Sequence, residues 1–180
     1  MKLPNALITL LIAGMTILSC KKGHPQDNNG LPPITQNGSN IVACKIDGNN
    51  WVIEDGDSNT GSFIGLFYND TLTFGGFPKP TVYSLLIQSI SFHIDKNPRQ
   101  GMTYSLDDTT ASFATYLTDS TCANFSIRDG TYLLSSGGSL SITKLDTLNH
   151  IYSGVFNCVF PVPGCDTIKI TDGQFDVHYY

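Results

Sequence analysis

This chain of 180 residues predicts an all-β, antiparallel fold, a β-sandwich or barrel-like domain, on three observations. Serine and threonine together number 34 while glutamate occurs once, at Glu54, and this is a composition of strands and turns because Glu, Ala and Lys are helix formers. Gly, Asn and Asp turn signals cut the chain every 8 to 15 residues beyond residue 40, the spacing of short strands in a sandwich or barrel. Between those breaks, apolar and polar residues alternate with period two. A helix bundle is excluded. With 41% hydrophobic residues the chain can build one core and is too short for two ordinary domains.

Residues 1–19 stand outside that fold. They carry one cation, Lys2, and then a run from Ala6 to Leu18 broken only by Thr9, Gly14 and Thr16. Those thirteen residues rise about 20 Å as a helix, less than a hydrocarbon core, so they read as a signal peptide and not a membrane span. Ile17-Leu18-Ser19-Cys20 resembles the bacterial lipobox, with Leu18 a slightly loose fit. The resemblance implies that Cys20 becomes the first mature residue and is the lipid attachment site, carrying palmitate-type acyl chains. At about 0.8 kcal/mol per buried methylene, two or more chains anchor stably where one does not. The plainer reading, an ordinary thiol after conventional cleavage, lacks a well-placed pair of small residues. Lys21-Lys22 follow in place of the acidic residues usual in surface-exported lipoproteins, which favours the periplasmic face of the outer membrane over the cell surface.

Residues 20–40 hold only Leu31 and Ile34 as sizeable aliphatics among Lys, Gly, Asn, Gln and Pro, too few to order themselves. They read as a lipidated flexible tether with a reach on the order of 25 Å, stiffened by Leu31-Pro32-Pro33. Residues 41–180 form the single β-domain. Its first strand, 41–46, turns through Asp47-Gly48-Asn49-Asn50 into 51–53. Strands 62–68 and 71–74 flank Asn69-Asp70, a two-residue hairpin loop whose residues tolerate positive φ. The longest strand, 81–94, places Val82, Leu86, Ile90, Phe92 and Ile94 on one face. Strands 111–117, 122–128 and 131–134 follow, and then 139–145, 151–160, 166–171 and 173–180. In the last of these, Phe175, Val177 and Tyr179 alternate with Gln174, Asp176, His178 and Tyr180, which predicts one core face and one wet face.

The lipobox, the polar tether, the opening Cys44-Lys45-Ile46-Asp47-Gly48-Asn49-Asn50-Trp51, and the pair Ser153-Gly154-Val155-Phe156 and Ile170-Thr171-Asp172-Gly173-Gln174-Phe175-Asp176-Val177 resemble a family of Bacteroidota lipoproteins of unknown function. The resemblance implies a secreted, anchored β-domain and brings no catalytic residue with it. Residues 55–130 add nothing to it.

Cys44, Cys122, Cys158 and Cys165 are an even four in a chain read as exported. A loop over 160–163 would set Cys158 opposite Cys165, so that pair is the expected disulfide. Cys44 and Cys122 are then bonded or simply buried. No Cys-x-x-Cys occurs, so neither a thioredoxin-type site nor a zinc ribbon is supported.

The sequence carries no strong signature of catalysis or of a metal site. The formal charge is −5, with Lys+Arg 10 against Asp+Glu 15 and no basic stripe, so no nucleic acid is expected as partner. There is no G-x-S-x-G, P-loop or H-E-x-x-H. A glycosidase pair would have to come from Asp107, Asp108, Asp146 or Asp172, which read as turn carboxylates. His93, His150 and His178 carry no catalytic spacing, and His24 lies in the tether. Asp55-Gly56-Asp57-Ser58-Asn59-Thr60-Gly61 suits calcium in composition, but its glycine falls one place late and Leu66 stands where the bidentate acid belongs, so it reads as a loop. Trp51 with Tyr68, Tyr83, Tyr104, Tyr116 and Tyr180 is the candidate stacking platform for sugars, against the plainer reading of core aromatics. The expectation is a membrane-anchored, non-catalytic binding or assembly module of the cell envelope without metal or cofactor. A carbohydrate-binding module in glycan uptake and an envelope hydrolase of unrecognised type are the alternatives.

Overall fold

A computed structural model describes residues 29–54, 62–69, 71–77, 88–95, 97–108, 111–118 and 132–179. Among them are twelve strands and no helix: β1 (Ile41–Ile46), β2 (Asn49–Glu54), β3 (Ser62–Tyr68), β4 (Thr71–Phe77), β5 (Gln88–Ile94), β6 (Thr103–Ser105), β7 (Asp107–Asp108), β8 (Ser112–Thr118), β9 (Leu133–Leu134), β10 (Gly137–Asp146), β11 (Ile151–Phe160) and β12 (Ile168–His178). They form two antiparallel sheets, ordered β2-β1-β12-β11-β10-β6 and β3-β4-β5-β8-β7, with β9 on β8. The sheets do not close into a barrel, so of the two expected architectures the sandwich-like one is present.

Local chemistry sets the hairpins. Asp47 and Gly48 sit at φ 48° and 83°, so β1 turns into β2 in two residues with Ile46 opposite Asn49, tighter than the four-residue turn expected. Asn69 at φ 49° makes the same kind of turn between β3 and β4. Of the expected strand 81–94, the described part is β5, whose Ile90, Phe92 and Ile94 are buried. The expected strand 122–128 and the Asp55–Gly61 loop lie outside the described residues.

The core fills the gap between the sheets. Phe74 of β4 meets Phe175 of β12 at 4.4 Å between ring centroids, Phe92 of β5 meets Phe156 of β11 at 4.5 Å, and Tyr116 of β8 meets Phe160 of β11 at 5.4 Å. Each pair joins one sheet to the other and adds about 0.5–1.5 kcal/mol to the burial of its rings. Trp51 is 8% exposed and belongs to this core.

The expected strands 166–171 and 173–180 are one strand, β12, with a bulge. Ala43 pairs with Gln174 and Lys45 with Thr171, so Cys44 faces two residues, Asp172 and Gly173, and Asp172 takes φ 52°. One extra residue switches the core face from Ile170 to the odd positions Phe175, Val177 and Tyr179. Beyond the bulge, β11 and β12 each set a phenylalanine over the other's glycine, because Gly154 pairs with Phe175 and Phe156 with Gly173. The two Gly-x-Phe triplets quoted above are this reciprocal packing.

The expected Cys158–Cys165 disulfide is not formed. Strand pairing persists to Phe160 and Ile168, so the loop spans 161–167 and the residue opposite Cys158 is Ile170. Cys158 is instead a free thiol in the core, as is Cys44. These two flank β12 on either side. Two strand spacings separate backbones by about 9.5 Å, beyond the roughly 7 Å a disulfide spans. Burial raises both thiol pKa values, that of Cys158 to about 12 and that of Cys44 further, with Cys158 adding to the rise. Both are therefore expected to resist alkylation in the folded protein and to react fully after unfolding, as peptide mass mapping would read. Native-state labelling of either would contradict this burial.

Candidate functional site

Residues 29–40, expected as free tether, lie as a strap across the outer face of the first sheet. Asn50 donates to the Gly30 carbonyl at 3.0 Å, and the Gln174 amide donates to that of Pro32. Leu31, 2% exposed, packs with Ile41, Ala43 and Val52 in a small apolar cluster separate from the main core. Gln36 donates to Thr143 Oγ1 at 3.0 Å, and Lys144 Nζ donates to the Gln36 carbonyl at 2.9 Å. The segment is too polar to order itself, but β1, β2, β10 and β12 supply the partners it lacks.

Asp176 is the centre of that attachment. Its Oδ2 accepts from Thr35 Oγ1 at 2.7 Å and from the backbone N–H groups of Asn37 and Ser39 at 3.0 and 3.1 Å. Its Oδ1 accepts from Gly38 N at 2.9 Å and from Ser153 Oγ at 2.7 Å. Three successive backbone N–H groups wrapped on a carboxylate form a nest of the kind that binds anions. Here the anion is the protein's own. Gly38 makes the turn at φ 74°, where a Cβ would strike the His178 ring at 2.5 Å. Asp176 is only 2% exposed. Burial by itself would raise its pKa, yet the hydrogen bonds from Thr35, Ser153, Ser39 and Gly38 outweigh that and hold it below the usual carboxylate range.

The face of β12 expected to be wet is thus covered, with Gln174 and Asp176 both buried. The pairing of Asp176 and His178 on one face serves strap docking, since the His178 ring lies against Gly38 and the His178 backbone N–H donates to Asn40 Oδ1 at 2.7 Å.

Beside the strap runs a groove of about 430 Å³. Asn29, Leu31 and Ile34 line it from the strap, while Ser139, Ser141, Val155, Asn157 and Asp172 line it from β10, β11 and β12. The bulge brings Asp172 to its rim, where Lys45 Nζ donates to Oδ2 at 2.7 Å. Asn157 Nδ2 donates to Ser139 Oγ at 3.1 Å, and Ser141 Oγ shares a hydrogen bond with Thr103 Oγ1 at 2.7 Å. The surface therefore offers hydroxyls, a carboxamide and an internally neutralised charge pair beside the apolar Val155 and Ile34.

The other sequence candidates fall elsewhere. Cys20, His24 and Tyr83 lie outside the described residues, as do the side chains of Tyr68, Asp108 and Tyr180. Trp51 and Tyr116 are core residues, and the Tyr104 hydroxyl accepts from Arg99 N at 2.8 Å, so these three build no exposed stacking platform. Asp107 accepts from Ser105 on the second sheet's margin, Asp146 caps the β10–β11 turn through Asn149, and Asp172 pairs with Lys45. His93 stacks on Phe113 at 4.9 Å and His150 leans on Tyr179 at 5.0 Å. Among the described residues no group of three or more His, Cys, Asp and Glu is placed to hold a metal ion. Comparison with known protein families, with curated proteins and with solved structures gives no match.

Sequence reasoning missed the strap and the groove. The available signals were Asn37-Gly38-Ser39, a turn inside a stretch read as tether, and a leucine directly before Pro32-Pro33. Nothing in the sequence pointed from them to Asp176, 138 positions beyond Gly38.

Proposed function

We propose that this chain is a lipid-anchored lipoprotein of the cell envelope whose sandwich is a non-catalytic binding module, with the strap groove as its binding site. One arrangement supports the reading: Asn29, where the described strap begins, lines the groove and stands nine residues after Cys20. Nine residues extend at most about 30 Å, so acyl chains on Cys20 would keep the groove near the bilayer surface. The Lys21-Lys22 pair after the anchor favours the periplasmic face of the outer membrane. The partner is a component of the envelope, protein or glycan, and not a nucleic acid.

Metabolic labelling with palmitate is expected to mark the wild-type chain and to leave Cys20→Ala unmarked, with the variant moving from the membrane to the soluble fraction. Equal labelling of both, or a wild type that carries no label, would remove the anchor from the proposal.

A further inference from the structure

The geometry points to a neutral, hydroxyl-rich ligand for the strap groove, an uncharged oligosaccharide held by side-chain hydrogen bonds; the assignment rests on the reading of this groove as the binding site. Charge is the first argument. Among the described lining residues the one ionisable group is Asp172, and Lys45 already neutralises it at 2.7 Å. An anionic ligand meets a carboxylate and no spare cation. A cationic ligand has to displace Lys45 from its ion pair.

Sheet topology is the second argument. The floor of the groove belongs to β10, β11 and β12, each with a neighbour on both sides. Away from the bulge at Asp172-Gly173 their main-chain groups are engaged in the sheet ladders, and none of the three is a sheet edge along which an extended peptide adds as a strand, which is how such peptides gain most of their affinity. Recognition falls to the side chains. Asn157 is fixed by its bond to Ser139 and Ser141 by its bond to Thr103. The Asn157 bond uses one amide N–H, leaving the carbonyl oxygen and the second N–H for a ligand hydroxyl. Side chains already held in place lose little freedom on binding.

The apolar part of the lining is the third argument. Val155 on the floor and Ile34 on the strap, 62% exposed, supply dry surface for the C–H face of a pyranose ring. The volume of about 430 Å³ lies within the range of small-ligand sites.

The test is calorimetric titration of the full-length protein in detergent with three probes: neutral hexose tetrasaccharides, an oligouronate of the same length, and an uncharged extended peptide. The neutral sugars are expected to bind. Asn157→Ala and Ser141→Ala should each weaken that binding about tenfold, and Val155→Trp should abolish it, with melting temperatures close to wild type. If the oligouronate or the peptide binds instead and the same substitutions weaken it, the ligand class is overturned while the groove stands. If no probe binds, or one binds and all three substitutions are silent, the groove is overturned along with its ligand.

Discussion

Asp176→Ala is expected to detach residues 29–40 from the sheet and to cost about 2–4 kcal/mol of stability. The carboxylate accepts five hydrogen bonds, from Thr35, Asn37, Gly38, Ser39 and Ser153, and alanine leaves all five donors without that acceptor. Release of the strap lets water reach the backbone donors, which keeps the loss below the sum of five buried, unsatisfied groups. Hydrogen exchange should then show residues 29–40 losing protection before the strands do, and Leu31 leaving its cluster with Ile41, Ala43 and Val52. An unchanged exchange pattern would mean that Leu31 and Gln174 hold the strap by themselves.

The same carboxylate sets a pH dependence. Its folded pKa lies below the usual value, so its contribution is fully present above the unfolded pKa of about 3.9 and is lost as pH falls through the folded value. The stability gap between wild type and Asp176→Ala should therefore be constant from pH 7 to about 5 and close in more acidic solution. A gap that persisted unchanged at pH 2 would assign the effect to packing.

Gly154→Ala is expected to be at least as damaging, with a loss above about 3 kcal/mol or failure to accumulate folded protein. A Cβ at this position would lie 2.1 Å from the Ser141 carbonyl oxygen and 2.6 Å from the Phe175 ring. The ring has little room to swing aside, because the Phe74 ring lies tilted against it at 4.4 Å and Phe156 lies 6.5 Å away. The carbonyl belongs to β10, so relief requires β10 and β11 to separate. Gly137→Ala is the matched control on β10: its Cβ would meet only Val159 Cγ2 at 3.6 Å, ordinary contact, and thermal melts should register little change. Equal effects at the two positions would refute the close-packing explanation.

The sequence expressed the strands well where one face is apolar and a local turn ends the run. Phe175-x-Val177-x-Tyr179 placed its core residues correctly because alternation is a property of the strand itself. Asp47-Gly48 and Asn69 marked their hairpins because positive φ is a local demand that few residues meet. The β12 bulge was less legible: an Asp-Gly pair ends a strand or bulges one with equal local cost, and only pairing with β1 and β11 on both sides decides for the bulge.

Composition and periodicity therefore determined the all-β class, the core faces and the positions of most turns, since each depends on residues within a few positions of one another. The tertiary structure alone decided that Cys158 faces the core beside β12 and not Cys165, and that a polar stretch becomes a strap. Those outcomes depend on partners far apart in the chain, Gly38 with Asp176 and Lys45 with Asp172. A polar segment that cannot order itself carries no sign of a distant carboxylate able to satisfy its N–H groups, and the groove exists only once the two have met.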